Sequence, residues 1–165
     1  MAHEPRLNLE LRQLLQQCRL GALGTIDDEG RPFVSMVSWA LEPSQPCLVL
    51  HVSALAAHAR YLLARPQVSL LVMAPEQAGQ PVHAQHRVSL QGVARPLPRD
   101  EAEWTRCRDV YLARFPEAEP MTQLGDFRFV ALLIREARQV AGFGAARSLD
   151  GEAIRAVLQP QAAGD

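Results

Sequence analysis

Ser53 lies where the sequence predicts a strand to change into a helix, which is a place where a chain can bind an anion. Its hydroxyl would stand beside the free backbone N–H groups at the helix start, and these groups and the helix dipole attract phosphates and carboxylates. The simpler alternative is that Ser53 only caps the helix, a common role for serine. The sequence alone leaves both roles open.

Basic side chains could add positive charge to such a site. The chain has 17 basic residues and all are arginine, so Schiff-base chemistry on lysine is excluded and an anion would meet guanidinium groups, histidines or hydroxyls. His86 and Arg87 are neighbours in a predicted strand and point to opposite faces, so only one of them can face a given pocket. A surface ion pair is the alternative role for Arg87.

Other catalytic patterns are weak in this sequence. His51 and His83 lack the paired spacing of a metal site, and no Ser-His-Asp or nucleophile-elbow pattern occurs. Cys18, Cys47 and Cys107 are widely spaced without a C-x-x-C pair, which argues against a disulfide framework and fits reduced thiols in a cytoplasm. Hydrolase and metalloenzyme functions are therefore disfavoured, and no metal site is expected.

The composition is that of an ordinary globular protein. The chain has 165 residues, of which 48% are hydrophobic and 21% are charged, and we expect residues 1–165 to form one domain. A net charge of −1 gives no electrostatic drive for binding nucleic acid. The sequence contains neither an apolar run long enough for a membrane span nor a signal-peptide pattern, so it predicts a cytoplasmic protein without a membrane segment.

The elements that must position these residues are mostly strands. Six strands are predicted, at 20–27, 32–41, 47–52, 67–73, 83–94 and 127–136. Helices are predicted at 8–19 with Asn8 as cap, from Ser53 to Arg65, from Pro98 to Phe115, and from Asp150 to Leu158. This pattern predicts a mainly β protein with flanking helices, built on a six-stranded antiparallel barrel that is closed or split. The barrel is expected over residues 20–147. An N-terminal helix precedes it within 1–19, and a short C-terminal helix and tail follow it over 148–165.

The predicted strand 32–41 is apolar on both of its faces. Val34 and Met36 lie on one face, and Phe33 and Val37 lie on the other. A strand of a small barrel has only one face toward the core, so the second apolar face needs a partner surface. We expect that partner to be a second subunit, which makes the protein a homodimer.

Three stretches together resemble a known family. They are LGTID-x-x-G-x-P-x-V-S from Leu23, then S-x-L-A-x-H-x-R-x-L from Ser53 followed by R-P-x-V-S-L-L-V from Arg65, and HRVSLQGVARPL from His86. With the ending V-A-G-F-G-A-A-R from Val140, they resemble the pyridoxamine 5′-phosphate oxidase-like FMN-binding split barrel over about residues 15–147. The set is most similar to the branch that contains the bacterial haem-utilisation proteins.

The resemblance implies a homodimer with two FMN molecules in clefts at the subunit interface. Carried over by position, it implies that the second strand flanks the flavin, that the strand-to-helix stretch holds the phosphate, and that one arginine approaches from the fifth strand. The residues so implied are Ser35, Met36 and Val37 beside the flavin, Ser53, His58 and Arg60 at the phosphate, and Arg87. A flavin-dependent oxidoreductase that uses reduced nicotinamide on an unknown small-molecule substrate is the function that this set favours.

Several alternatives accompany that interpretation. Pyridoxamine phosphate oxidases proper have basic residues where this chain has Ser35 and Ala40, and a lysine where it has His58, which argues against that reaction. The haem-utilisation branch implies a haem-binding or haem-degrading protein, whose iron ligand would come from one of the five histidines. A deazaflavin cofactor, and a cofactor-free dimeric interaction module, are the other hypotheses.

Overall fold

The computed structural model describes residues 5–159. Within them it contains four α-helices, seven strands and two short 3₁₀ helices at Val82–Ala84 and Pro116–Gln123. The helices are α1 (Arg6–Gln17), α2 (Ala57–Ala64), α3 (Ala102–Arg114) and α4 (Gly151–Leu158). The strands are β1 (Leu20–Ile26), β2 (Pro32–Glu42), β3 (Cys47–Ser53), β4 (Gln67–Met73), β5 (Arg87–Pro96), β6 (Phe127–Val140) and β7 (Ala146–Asp150).

The first six strands close a barrel. They are hydrogen-bonded in the order β3-β2-β1-β4-β5-β6, all neighbours are antiparallel, and β6 also pairs with β3 to complete the ring. The predicted six-stranded antiparallel barrel with flanking helices is thereby confirmed. A seventh strand, β7, pairs with the far half of β6 outside the ring.

Strand β6 connects the two parts of the sheet. Its first half pairs with β3 from Phe127 to Leu132, and its second half pairs with β7 from Glu136 to Val140. A bulge lies where β5 crosses this region, and a Cβ atom on Gly92 would overlap the carbonyl oxygen of Leu133. Glycine is therefore required for the close approach of β5 to β6.

The hydrophobic core has two layers, one on each side of the sheet wall. The larger cluster fills the barrel and packs against α1 and α4; it includes the fully buried Trp39, Leu50, Leu70, Leu90 and Leu132. The smaller cluster lies between the outer face of β2, β3 and β6 and helix α3, and includes Cys47, Val49, Cys107, Tyr111 and Phe129. Because strand side chains alternate, odd-numbered β2 residues face the barrel and even-numbered ones face α3.

Some predicted boundaries differ from the structure. Helix α1 begins at Arg6 after Pro5, so Asn8 lies within it and is not the cap. The backbone N–H of Asn8 donates a hydrogen bond of 2.9 Å to the carbonyl of Pro5, which places Asn8 in the first turn. The fifth strand begins at Arg87 rather than at His83, which belongs to a 3₁₀ helix.

The C-terminal region differs most from the prediction. The sixth strand continues to Val140, and β7 occupies residues where only a turn, helix and tail were expected. Helix α4 begins at Gly151, with the Asp150 carboxylate accepting a hydrogen bond of 2.8 Å from the backbone of Ala153. Residues 1–4 and 160–165 lie outside the described range, so the single-domain interpretation of residues 1–165 stays a prediction.

The two faces of β2 have different environments. Val37 is buried in the barrel, and the ring of Phe33 packs edge-on against that of Tyr61 at 5.3 Å. On the other face, Val34 and Met36 are each 66% exposed. The expected second subunit on this face stays a prediction. Across residues 5–159, the helices are all too short or too polar to span a membrane.

Candidate ligand pocket

A cavity of about 590 Å³ lies on the outside of the barrel between the sheet and helix α3; we call it the outer pocket. Its size is within the range of small-molecule and cofactor sites. Its walls come from β2 and β3, the start of α2, the end of α3 and the 3₁₀ helix after it, and they include the barrel-facing Val37 and Val52 as well as outward-facing residues. The lining residues are Arg19, Leu20, Met36, Val37, Ser38, His51, Val52, Ser53, Ala56, His58, Tyr111, Phe115, Glu117, Ala118 and Met121.

The outer pocket forms because two neighbouring strands separate. β2 pairs with β3 only from Trp39 opposite Leu50 to Glu42 opposite Cys47. Beyond this ladder β2 continues to pair with β1, and β3 continues to pair with β6. The diverging halves leave room between Met36 on one strand and Ser53 on the other.

Two hydroxyls form a polar contact on the pocket wall. The oxygens of Ser38 and Tyr111 lie 2.7 Å apart, so one of them donates a hydrogen bond to the other. Burial raises the pKa of Tyr111, and its phenol therefore stays protonated at neutral pH. The pair can present an O–H donor to a bound molecule.

His51 forms part of an aromatic stack on the same wall. Its ring lies 4.4 Å from that of Phe129 and 4.9 Å from that of Phe127, with Tyr111 at 5.6 Å. Burial, with a smaller contribution from the positive charge of Arg99, lowers the pKa of His51 to about 4. The imidazole is therefore neutral at physiological pH.

His58, in the first turn of α2, contacts β2 through a hydrogen bond. Its Nδ1 atom lies 3.1 Å from the hydroxyl oxygen of Ser35. The side chain is partly buried, and burial lowers the pKa of His58. This histidine therefore contributes a neutral ring to the pocket, rather than the cation that a phosphate would prefer.

Ser53 is not the cap of α2, which begins at Ala57 after Ala56. Its hydroxyl accepts a hydrogen bond of 3.2 Å from the backbone of Leu55 and donates one of 2.9 Å to the carboxylate of Asp126. A negative charge thus stands beside the hydroxyl that the resemblance places at a phosphate. A phosphate bound to the Ser53 hydroxyl would lie close to the Asp126 carboxylate. The two negative charges would repel each other, so this arrangement disfavours a phosphate dianion at Ser53.

The two predicted arginines lie away from the outer pocket. Arg60 forms an ion pair of 3.0 Å with Asp28, and its guanidinium lies over the Tyr61 ring. Arg87 donates to the backbone carbonyls of Gln85 and His83. Neither side chain lines the outer pocket of its own chain.

Five predicted site residues are thus brought together at one place. The outer pocket is lined by Met36, Val37, Ser53 and His58. Ser35 is hydrogen-bonded to His58 and so lies next to this pocket. A cofactor-binding role for these residues, and for Arg60 and Arg87, stays a prediction.

The opposite wall was not predicted from the sequence. Tyr111 lies in the last turn of α3, Phe115 directly follows this helix, and Met121 belongs to the 3₁₀ helix Pro116–Gln123. Arg19 also lines the pocket, where its guanidinium stacks over Phe115 and pairs with Glu117 at 3.2 Å. In the sequence, Trp104, Cys107, Tyr111 and Phe115 recur at helical spacing, but such spacing does not distinguish core packing from pocket lining.

Comparison with known proteins gives a family and several relatives. Residues 7–141 match the family described as pyridoxamine 5′-phosphate oxidase. The chain is 30% identical to the haem oxygenase HutZ of Vibrio cholerae, over 89% of this chain and 83% of that protein. It is 32% identical to the chloroplastic non-canonical haem oxygenase HOZ of Arabidopsis thaliana, over 87% of this chain. The match covers 43% of HOZ, so this chain spans less than half of that relative.

A solved structure is also similar. The haem-binding protein from Mycobacterium smegmatis superposes with a TM-score of 0.83 and 32% sequence identity. The superposition covers 94% of this chain and 62% of the mycobacterial one.

Proposed function

This chain belongs to the pyridoxamine 5′-phosphate oxidase family, and we propose that within this family it binds haem in the outer pocket. The relatives described above carry haem in their names. We therefore favour haem over FMN as the ligand of this chain.

One structural observation carries the proposal: the polar groups of the outer pocket suit haem better than FMN. FMN has a phosphate dianion, which needs cations or converging donors. Beside Ser53 the structure instead has the Asp126 carboxylate, while His51 and His58 are neutral rings. A neutral imidazole is a common ligand of haem iron, and the rest of the wall offers apolar contact to a flat macrocycle.

Each wall of the pocket has a distinct part in holding haem. Leu20, Met36, Phe115 and Met121 would pack against the macrocycle and exclude water from it. Tyr111, with Ser38 as partner, would present a hydrogen-bond donor toward the bound group. When bound, haem supplies the iron redox and oxygen chemistry, and the protein supplies its position and surroundings.

Haem titration of the purified protein tests the proposal. We expect a saturable Soret band with one haem per chain. Leu20→Trp places extra bulk at the pocket wall and should weaken haem binding at least about tenfold, a change of about 1.4 kcal/mol. Val82→Trp is the matched control, because Val82 is similarly exposed but lies outside the outer pocket.

The same titration distinguishes the other hypotheses. Tight FMN binding that the Leu20→Trp variant loses, with no saturable haem binding, would overturn the proposal in favour of a flavin-dependent oxidoreductase. A protein that ignores FMN, deazaflavin and haem would instead support an interaction module. If haem binds, conversion to a biliverdin-type product with ascorbate and oxygen tests whether it is degraded or only held.

We also propose that the protein is a homodimer. The family resemblance implies cofactor clefts shared by two subunits. The exposed apolar face of β2 at Val34 and Met36 provides a surface on which a second copy can pack.

A further inference from the structure

The contact between His58 and Ser35 has a chemical consequence for the outer pocket. His58 projects from α2 and lines the pocket, while its Nδ1 atom lies 3.1 Å from the Ser35 hydroxyl on β2. Ser35 has an odd number and so lies on the barrel side of β2. The imidazole is therefore tied to β2 through Nδ1, and its Nε2 edge is not used by this contact.

The hydrogen bond at Nδ1 determines what Nε2 can do. When Nδ1–H donates to the hydroxyl, Nε2 carries a free lone pair. Among residues 5–159, no group forms a hydrogen bond with Nε2 of His58. Proteins commonly orient a metal-binding histidine in this way, with one ring nitrogen bound to a polar group and the other left for the metal.

The other described histidines are less suited to bind a metal in the pocket. His51 also lines the pocket, but its ring is stacked among Phe127, Phe129 and Tyr111, and no polar group in residues 5–159 fixes either nitrogen. His86 contacts the side-chain amide of Gln139 at 3.3 Å, and neither His86 nor His83 lines the outer pocket.

We propose that Nε2 of His58 is the axial ligand of the haem iron, and that Ser35 is the positioning residue that orients this ring. This inference rests on the haem-binding function proposed above. It gives His58 a role different from the phosphate contact implied by the family resemblance.

Resonance Raman spectroscopy of the ferrous haem complex tests the assignment, because it detects the iron–histidine stretching mode without any turnover. The wild type should show this mode. His58→Ala should still take up haem but lose the mode, and added imidazole should restore an iron–nitrogen mode. His58→Gln is a second variant that keeps side-chain length, in case the alanine variant folds poorly.

Two more variants separate ligation from pocket structure. Ser35→Ala should keep the iron–histidine mode but shift its frequency and weaken haem binding about tenfold, as is usual when a partner of a metal-binding histidine is removed. Ser35→Thr, which retains a hydroxyl, should recover the wild-type frequency. His51→Phe preserves the aromatic stack and should leave the mode unchanged.

The outcomes distinguish this inference from the proposed function. If the wild type binds haem and the iron–histidine mode survives in both His58 variants, the ligand assignment is wrong while haem binding stands. If Ser35→Ala leaves frequency and affinity unchanged, the positioning role is wrong. If the wild type takes up no haem, both proposals fail together.

Discussion

The hydroxyl of Ser53 donates a hydrogen bond of 2.9 Å to the carboxylate of Asp126, at the seam where β3 and β6 close the barrel. The family resemblance places a phosphate at Ser53, and the structure places a negative charge there. If a cofactor phosphate entered the outer pocket at Ser53, the Asp126 carboxylate would oppose it.

Asp126→Asn should improve binding of FMN relative to riboflavin, which has the same ring without the phosphate. The substitution removes the negative charge and keeps a hydrogen-bond acceptor for Ser53. The binding free energy of FMN should therefore become more favourable by about 1 kcal/mol, or roughly fivefold in affinity, because its phosphate is no longer repelled. Fluorescence titration with both flavins measures the ratio. An equal change for both would show that Asp126 does not oppose the phosphate.

The protein should lose stability in acid through His51. Because burial lowers the folded-state pKa of His51 to about 4 from an unfolded value near 6.5, the unfolded chain binds the proton first. The free energy of unfolding attributable to this residue is therefore complete above pH 6.5 and falls as the pH is lowered toward 4. A shift of this size corresponds to at most about 3 kcal/mol, and solvent near the half-buried ring reduces it to about 2 kcal/mol.

Urea denaturation of the ligand-free protein at several pH values between 7 and 4 measures this loss. His51→Phe keeps a ring in the stack and removes the titration, so its stability should fall less over the same range. Carboxylates titrate equally in both proteins and cancel in the comparison. Parallel pH profiles would contradict the assignment to His51.

Gly92→Ala should destabilise the barrel strongly. The added methyl group would overlap the carbonyl oxygen of Leu133, which belongs to the neighbouring strand and cannot turn aside as a side chain could. We expect a loss of about 3 kcal/mol in the free energy of unfolding, at the upper end for overpacking. Gly125→Ala is the control, since no other atom of the described chain, its two chain neighbours aside, lies within 4 Å of a Cβ there. Similar unfolding midpoints for the two variants would refute the steric argument.

Arg114→Gln should loosen the N-terminal helix. The guanidinium of Arg114 donates to the carbonyls of Leu15, Gln16 and Cys18 at 3.1, 3.2 and 2.6 Å, and so fastens the end of α1 to α3. Loss of these charge-assisted bonds should cost about 2 kcal/mol of stability.

Hydrogen exchange in α1 should rise in the Arg114→Gln variant before global unfolding. Arg108→Gln is the comparison, because within residues 5–159 that arginine forms an ion pair only with its neighbour Asp109 and lies over Trp104. If both variants exchange α1 amides at the wild-type rate, the fastening role of Arg114 is refuted.

Val34→Glu should convert the proposed dimer to a monomer. Val34 lies on the exposed face of β2 and borders a second cavity of about 560 Å³ formed with β1, β4 and β5. Burying a glutamate in a subunit interface leaves an unpaired charge out of water. Light scattering after size exclusion measures the mass, and Leu55→Glu is the control, because Leu55 is 89% exposed and lies outside this face. A monomeric wild type would contradict the proposal directly.

The strands of the barrel could be predicted because their sequences carry strong local signals. β1 to β4 are short apolar segments, and turn-forming residues separate β1 from β2 and β2 from β3. β7 has the sequence ARSLD, which lacks that signal, and it is a strand because β6 offers it a free edge. Such a strand is specified by its partner and not by its own residues.

From the sequence, we could predict only those site residues that are close in the chain or belong to one strand; their tertiary partners could not be predicted. Nothing local to Arg60 indicates that Asp28, in the turn before β2, pairs with it. Nothing local to Ser53 indicates that Asp126 stands beside it. Both partners are brought in by tertiary pairing, which a single sequence does not reveal.

Strand β6 has a consequence for how the protein is made. Both β3 and β5 depend on it for their outer ladders, and it comes late in the chain. During synthesis, the edges of β3 and β5 that pair with β6 therefore stay unpaired until residues 127–140 leave the ribosome. The barrel should close in a single late step, and contacts so distant in sequence should make that step slow compared with helix formation.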